Sequence, residues 1–289
     1  MKMPFQKISL IIASTAIIIN GYAQNDTMLT NKNKRYKMGS FQLLTGFSFG
    51  RNSFLSHEEI LSDVNADNQL AQIDSGYKWH SGNYLEIIGF TSSANIGLHP
   101  YNKINKAYNL NRELQIGFTL NHQYFSSLGT KETPIGSDTI AKSQIYYSET
   151  INYFNPTISY TYRTDPAKRL IWYGGYGMSF GFSYNSSLTR LTYFDTLVKQ
   201  VHSGSTDFVK IHSQSIFTAY PTAINSFNIQ PFILLGYNLR LAKTKRILKN
   251  MSIATEARIN MNYQHFSTRK NFLKDSYLLS FGFRYNLMK

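Results

Sequence analysis

Apolar and polar residues alternate with a period of two along most of this chain, the pattern of strands with one apolar and one polar face. From Phe41 the apolar row is Phe41, Leu43, Phe47 and Phe49, set against Gln42, Gly46, Ser48 and Gly50. Leu114, Ile116, Phe118 and Leu120 stand against Glu113, Gln115, Thr119 and Asn121. Trp172, Tyr176, Met178, Phe180, Phe182 and Tyr184 oppose a row rich in Gly and Ser. Ile229, Ile233, Leu235 and Leu239 oppose Asn228, Gln230, Asn238 and Arg240, and Ile253, Ile259, Met261 and Tyr263 oppose Ser252, Glu256, Arg258, Asn260 and Asn262. The clearest row is the last, Tyr277, Leu279, Phe281, Phe283, Tyr285 and Leu287. Segments 84–98 and 145–162 alternate less cleanly, with Ile88, Phe90, Ile96 and Phe154, Ile158, Tyr160 in register. These segments predict eight strands.

The connections alternate in length. Short polar ones lie near 99–111, 163–169 and 243–250; long ones cover 51–82, 126–144 and 187–226, with a smaller loop at 266–276. Even-numbered antiparallel strands joined in this way predict an all-β, up-and-down barrel with short turns at one end and long loops at the other. Ten strands are the alternative, with 188–201 and 207–220 as an added hairpin around Ser203-Gly204-Ser205. Their alternation is poor, which predicts a β-ribbon rising above the barrel. No sequence repeat and no second domain is evident.

Composition turns this barrel into a membrane barrel. Aromatic residues make up 15% of the chain, with 21 Tyr and 20 Phe, and no stretch in the mature part approaches the roughly 20 apolar residues of a spanning helix. Abundant Tyr and Phe without long apolar runs is what lipid-facing and lumen-facing positions produce when they alternate. Tyr124, Tyr162, Trp172, Tyr184, Tyr263, Tyr277 and Tyr285, near strand ends, are the expected interfacial aromatic belts. At the start, Lys2 and Lys7 precede an apolar run from Ile8 to Ile19, then Gly21 and Ala23. That is a secretory signal, with cleavage expected after Ala23. Residues 24–39 are expected to be a periplasmic lead-in and 40–289 the barrel. With no Cys, neither a disulfide nor a lipoprotein anchor is available.

Ser280, Gly282, Tyr285 and Leu287 have the spacing of a polar residue, a glycine, an aromatic and an apolar residue in a final strand. The chain's end resembles the assembly signal of Gram-negative outer-membrane β-barrel proteins, with Leu287 in place of the usual aromatic. The resemblance implies a small barrel in the cell outer membrane and recognition by the outer-membrane assembly machinery.

Charge refines the picture. Removing the leader with Lys2 and Lys7 leaves +12 of the formal +14. The lead-in, the short turns and Lys289 carry all of it, because the long loops cancel among themselves and so do the strands. Such a basic periplasmic rim suits anionic head groups or an acidic periplasmic partner; solvated turns are the alternative. By parity Glu113, Arg240, Glu256, Arg258 and Arg284 point into the lumen, where an eight-stranded ring has room only for side chains. They are expected to pair and plug it, which disfavours a narrow gated channel.

Two constellations are candidates for chemistry. After a capping box at Ser56-His57-Glu58-Glu59, which predicts a short extracellular helix, Asp63, Asn65, Asp67 and Asp74 have the spacing of a calcium loop, although Asn68 stands at its glycine position. An acidic solvated loop is the alternative; no other cofactor is expected. Further on, His265 and Ser267 share the lipid-facing face of the seventh strand. This resembles the His-any-Ser motif of the outer-membrane lipid A deacylases, although Thr268 and Arg269 depart from that family's pattern. The resemblance implies Ser267 as nucleophile, His265 as base and, displaced from its usual place, Asp275 as the orienting acid. The alternative is a His and a Ser that meet head groups. Nothing points to nucleic acid. The leading expectation is a non-enzymatic anchor, binding or scaffold protein that contacts outer-membrane lipids and lipopolysaccharide, with a periplasmic or membrane protein as partner.

Overall fold

The computed structural model describes residues 35–51, 76–80, 85–202, 205–222, 225–242, 244, 248–267 and 271–287. Lys37–Lys289 forms one compact unit; of Met1–Tyr36 only Arg35 and Tyr36 are described. The expected leader, the short helix after Ser56 and the calcium loop therefore lie outside the described residues.

The strands are β1 (Tyr36–Arg51), β2 (Lys78–His80), β3 (Leu85–Asn102), β4 (Ala107–Tyr108), β5 (Arg112–Pro134), β6 (Thr139–Arg163), β7 (Leu170–His202), β8 (Ser205–Thr222), β9 (Ser226–Arg240), β10 (Met251–Phe266) and β11 (Phe272–Asn286). Eight of them, β1, β3, β5, β6, β7, β9, β10 and β11, follow one another around a ring. It closes where β11 meets β1, from Ser40 opposite Asn286 to Gly50 opposite Ser276. The fold is the expected all-β antiparallel eight-stranded barrel of outer-membrane type. Closure satisfies the backbone of every wall strand and leaves no edge, which a membrane requires of a sheet.

Side chains obey the alternation. Along β9 and β10 strict exchange of buried and exposed positions puts Asn228, Asn238, Ser252 and Glu256 inside, fully covered, and Ile233, Leu235, Ile259 and Met261 outside, more than half exposed. An unbroken wall of exposed Phe, Ile, Leu and Tyr around a polar interior is stable against lipid, not water. Of the expected belt residues, Tyr162, Trp172, Tyr184, Tyr263 and Tyr277 are exposed on that wall.

Two loops are sheet instead. Residues 126–144 form a hairpin in which β5 continues to Pro134 and β6 starts at Thr139, with only 135–138 as the turn. Residues 266–276 shrink to a short connection, because β11 begins at Phe272. The strand after 84 also continues further, to Asn102, where it makes a small hairpin with β4. Both hairpins are polar or mixed on both faces, so period-two reading passes over them.

The ribbon is present as expected. β8 pairs β7 from Ser186 opposite Thr222 to His202 opposite Ser205 and stays off the ring. β7 has 33 residues, roughly 110 Å of chain at 3.3 Å per residue, against the 9 to 11 that cross a bilayer. Its outer half, with β8, the ends of β5 and β6, and β2 on β5, forms a sheet standing beyond the barrel. A bulge marks the exit, where Asn152 faces Asn185 but Tyr153 faces Ser183. The extra residue reverses the phase of β7: Ile171, Tyr173 and Ser179 are buried below it, Leu188 and Thr192 above it.

Candidate functional site

The lumen is layered. Nearest the short-turn end, Glu113 is fully buried and accepts from Arg284 Nη2 at 2.6 Å, Ser40 Oγ at 2.5 Å and Gln115 Nε2 at 3.3 Å, with Arg163 Nη1 at 3.7 Å. Gly97 makes room for that carboxylate; a Cβ there would overlap it. A layer higher, Glu256 accepts from Arg258 Nε at 2.5 Å and from the Tyr173 hydroxyl at 3.2 Å, and the Arg258 guanidinium lies 4.6 Å from the Phe232 ring centroid. Above it, amides and hydroxyls fill the bore around a void of about 20 Å³ lined by Thr119, Asn121, Gln230 and Asn260. That is room for about one water. Gln264 Nε2 donates to Gln123 Oε1 at 2.5 Å across the bore.

The long-loop end is closed differently. Phe125, Ile145, Tyr147, Ile151, Tyr153, Leu188 and Phe266 form a buried apolar cluster, with Tyr77 and Trp79 packed against it. Trp79 meets Tyr147 at 6.1 Å between centroids, and the Tyr77 hydroxyl is 2.6 Å from Ser143 Oγ. Lys274 lies above the Phe125 ring at 5.7 Å.

At the short-turn end the lumen opens into a cavity of about 310 Å³. Its lining includes Gly39, His99, Arg163, Ile171, Arg240, Lys249, Asn250 and Asn286. His99, 3% exposed, donates from Nδ1 to the Arg112 carbonyl at 2.8 Å, and its ring occupies the space that a Cβ on Gly39 would take.

Of the five lumen charges expected from parity, Glu113, Glu256, Arg258 and Arg284 pair as carboxylate and guanidinium. Arg240 does not join them. Its Nη2 and Nη1 donate to the carbonyls of Pro166 at 2.7 Å and Ala167 at 3.4 Å, because it is the last residue of β9 and reaches the β6–β7 turn first. The residue that joins instead is Arg163, counted by sequence among the turn cations. It is the final residue of β6 and faces inward with a side chain 4% exposed. Its odd-numbered position, in phase with Asn155, Thr157, Ser159 and Thr161, is the signal that places it there. Its Nε and Nη2 have no hydrogen-bond acceptor in the described residues, an arrangement that costs about 1–3 kcal/mol per group when sealed from water.

The hydrolase residues are less well assembled. His265 and Ser267 share the outward face as expected, but the His265 ring packs at a tilt against Phe227, 4.9 Å between centroids, and the Ser267 amide donates to the Asn225 carbonyl at 3.1 Å. Asp275 lies in β11 opposite Met261, four residues down β10 from His265, or roughly 13 Å along the strand. Its carboxylate accepts from the Tyr277 hydroxyl at 3.3 Å. The structure brings His265 and Ser267 to one face and does not bring Asp275 to them. Asp63, Asn65, Asp67 and Asp74 lie outside the described residues, and no cluster of metal-ligating side chains occurs among the described ones. Ser280, Gly282 and Tyr285 lie in the closing strand, and the Leu287 amide bonds to the Gly39 carbonyl at 2.8 Å.

No protein-family model matches the chain, and no curated protein does. Among solved structures it is similar to Neisserial surface protein A, at 14% identity over 87% of this chain and 99% of that one, with a TM-score of 0.32. The attachment invasion locus protein of Yersinia pestis is 10% identical over 86% and 100% of the two chains, with a TM-score of 0.28. The outer-membrane protease OmpT of Escherichia coli is 11% identical over 90% and 99%, with a TM-score of 0.20. Residue roles therefore come from this chain's own geometry.

Proposed function

We propose that this chain is a non-enzymatic outer-membrane binding protein: a closed barrel that anchors a sheet outside the cell, with a basic periplasmic rim as its second surface. The observation that carries this reading is the continuation of β5, β6 and β7 past the barrel into the sheet that β2 and β8 complete. Closing the ring needs none of that added length, and long ordered extensions usually carry function. β8 pairs only β7 among the described residues and exposes Phe208, Ile211, Ile216 and Phe217, a surface suited to a protein partner that adds a strand or covers the apolar side chains. The wall meets outer-membrane lipids and lipopolysaccharide through its aromatic belts, and the assembly machinery engages the closing strand during insertion. Calcium in the first outer loop remains a separate proposal, tested by proteolysis of that loop with calcium and with EDTA.

Shortening the ribbon by a tight turn at the Thr189/Ala219 pair tests the reading. The barrel should keep its heat-modifiable mobility and surface location, and should lose the stoichiometric partner that the full chain carries through detergent extraction after surface cross-linking. Undiminished capture by the shortened chain, or steady conductance of porin size by the full chain in a planar bilayer, would reject it.

A further inference from the structure

We infer that the periplasmic mouth of the barrel binds a phosphate group carried on a small organic body. The inference starts from a charge left uncompensated among the described residues. Glu113 is the carboxylate of the lowest layer, and two buried guanidiniums, Arg284 and Arg163, approach it. Arg284 takes Oε1 at 2.6 Å and spends its Nε on Asn286 Oδ1 at 3.1 Å. Arg163 gives Glu113 only Nη1, at 3.7 Å. Among the described residues, one cation in excess stays inside the mouth.

The unused part of Arg163 has a specific shape. Nε and Nη2 form the side of a guanidinium on which two N–H bonds run parallel, the edge that grips two oxygens of one oxyanion. Both atoms lack an acceptor among the described residues and are covered by their neighbours; Arg163 lines the 310 Å³ cavity, so an anion held there meets this edge once the guanidinium turns toward it. Arg240 and Lys249 line the same cavity, and Arg240 Nε also lacks an acceptor there. Asp165, on the neighbouring turn, is occupied with the Ala167 amide at 2.9 Å. Adding an anion would complete the bidentate edge and neutralise the excess charge, the two conditions that make buried cations tolerable.

Phosphate fits better than a monocarboxylate, because three cations border the cavity and a phosphate monoester carries close to two negative charges. The volume exceeds that of a bare ion and falls in the range of small-ligand sites. Leu110, Pro166, Ala167 and Ile171 supply apolar lining for the carbon part. Two sources share this chemistry, a soluble phosphate monoester and the monoester head group of phosphatidic acid. The site lies at the opposite end of the barrel from the outer sheet and does not depend on that sheet's partner.

The test titrates the full chain, purified in a phosphate-free nonionic detergent, by calorimetry at constant ionic strength set with chloride. Three probes are used: glycerol phosphate, inorganic phosphate and dihexanoylphosphatidic acid. Saturable binding of glycerol phosphate or of the lipid is expected, with Arg163→Lys weakening it about tenfold, because a lysine keeps the charge and lacks the parallel edge. Lys249→Gln, on the turn before β10, should weaken it less. A stronger response to the ester assigns a soluble ligand, and a stronger response to the lipid assigns a head group. No saturable signal from any probe, equal binding by succinate, or unchanged affinity in a heat-modifiable Arg163→Lys protein would overturn the inference.

Discussion

The two mouths of this barrel are built on opposite physics. At the long-loop end, seven buried apolar and aromatic side chains, with Tyr77 and Trp79 against them, fill the bore; at the short-turn end, one carboxylate and two guanidiniums border an open cavity. Apolar packing is non-directional and tolerates small changes of shape, whereas a buried charge cluster depends on every partner. Packing therefore stoppers the long-loop end, and paired charge holds the short-turn end. A uniform channel would show neither.

The sharpest way to break the contrast is a change that keeps shape and removes charge. Glu113→Gln leaves Arg163 and Arg284 facing a neutral amide, and losing one partner of a buried pair costs about 3–5 kcal/mol. Reversible urea unfolding in lipid vesicles should show that loss; a change below the error of the extrapolation would mean the guanidiniums are solvated in place. Tyr173→Phe is gentler. It removes the hydroxyl on Glu256 Oε2 and leaves Arg258 on the other oxygen, an expected cost of about 1.5–3 kcal/mol for a bond to a charged group. At the outer mouth the corresponding shape-keeping change, Ile145→Val, trims a methyl from a residue with no exposed surface and should cost about 0.5–1.5 kcal/mol. If Ile145→Val proved as damaging as Glu113→Gln, the two ends would not differ in kind.

Much of this was legible from alternation, for a reason that also marks where reading stops. In the wall each strand meets lipid on one side and polar neighbours on the other, so Phe281 and Phe283 against Ser280 and Arg284 declare both fold and register. Beyond the bilayer both faces meet water. Ser126, Ser127, Thr130 and Lys131 then read as a loop although they are paired strand, and the bulge beside Tyr184 shifts the phase of β7 just where a reader would follow it. Parity puts Glu113, Arg284 and Arg240 in the lumen, but Arg163 counts with the turn because the segment reads as ending before it, and Arg240 is drawn away by how far the β6–β7 turn reaches. His265 and Ser267 share a face by parity alone; Asp275 fails to join them because of cross-strand register, which a local motif does not contain.

The smallest effect belongs to neither mouth but to the ribbon, and shows how little its charges hold. Asp195 on β7 accepts from Lys210 Nζ at 2.9 Å and Ser213 Oγ at 2.8 Å, both on β8. These bonds, the one from Lys210 first, hold its carboxyl below its ordinary range; Lys142 on β6, opposite it in register, acts in the same direction. A depressed carboxylate contributes stability above its unfolded value, and that contribution disappears as pH falls through the folded one. Amide exchange across the β7–β8 pairing should therefore speed up on acidification below about pH 4, while the amides of β9 and β10 stay protected. Asp195→Asn should remove the pH dependence from the ribbon alone, and added salt should mimic it, because an ion pair at the surface is screened. Acid sensitivity that survives in Asp195→Asn would trace the coupling of β8 to backbone pairing and apolar cover, making the ribbon's hold on the barrel apolar like the stopper beneath it.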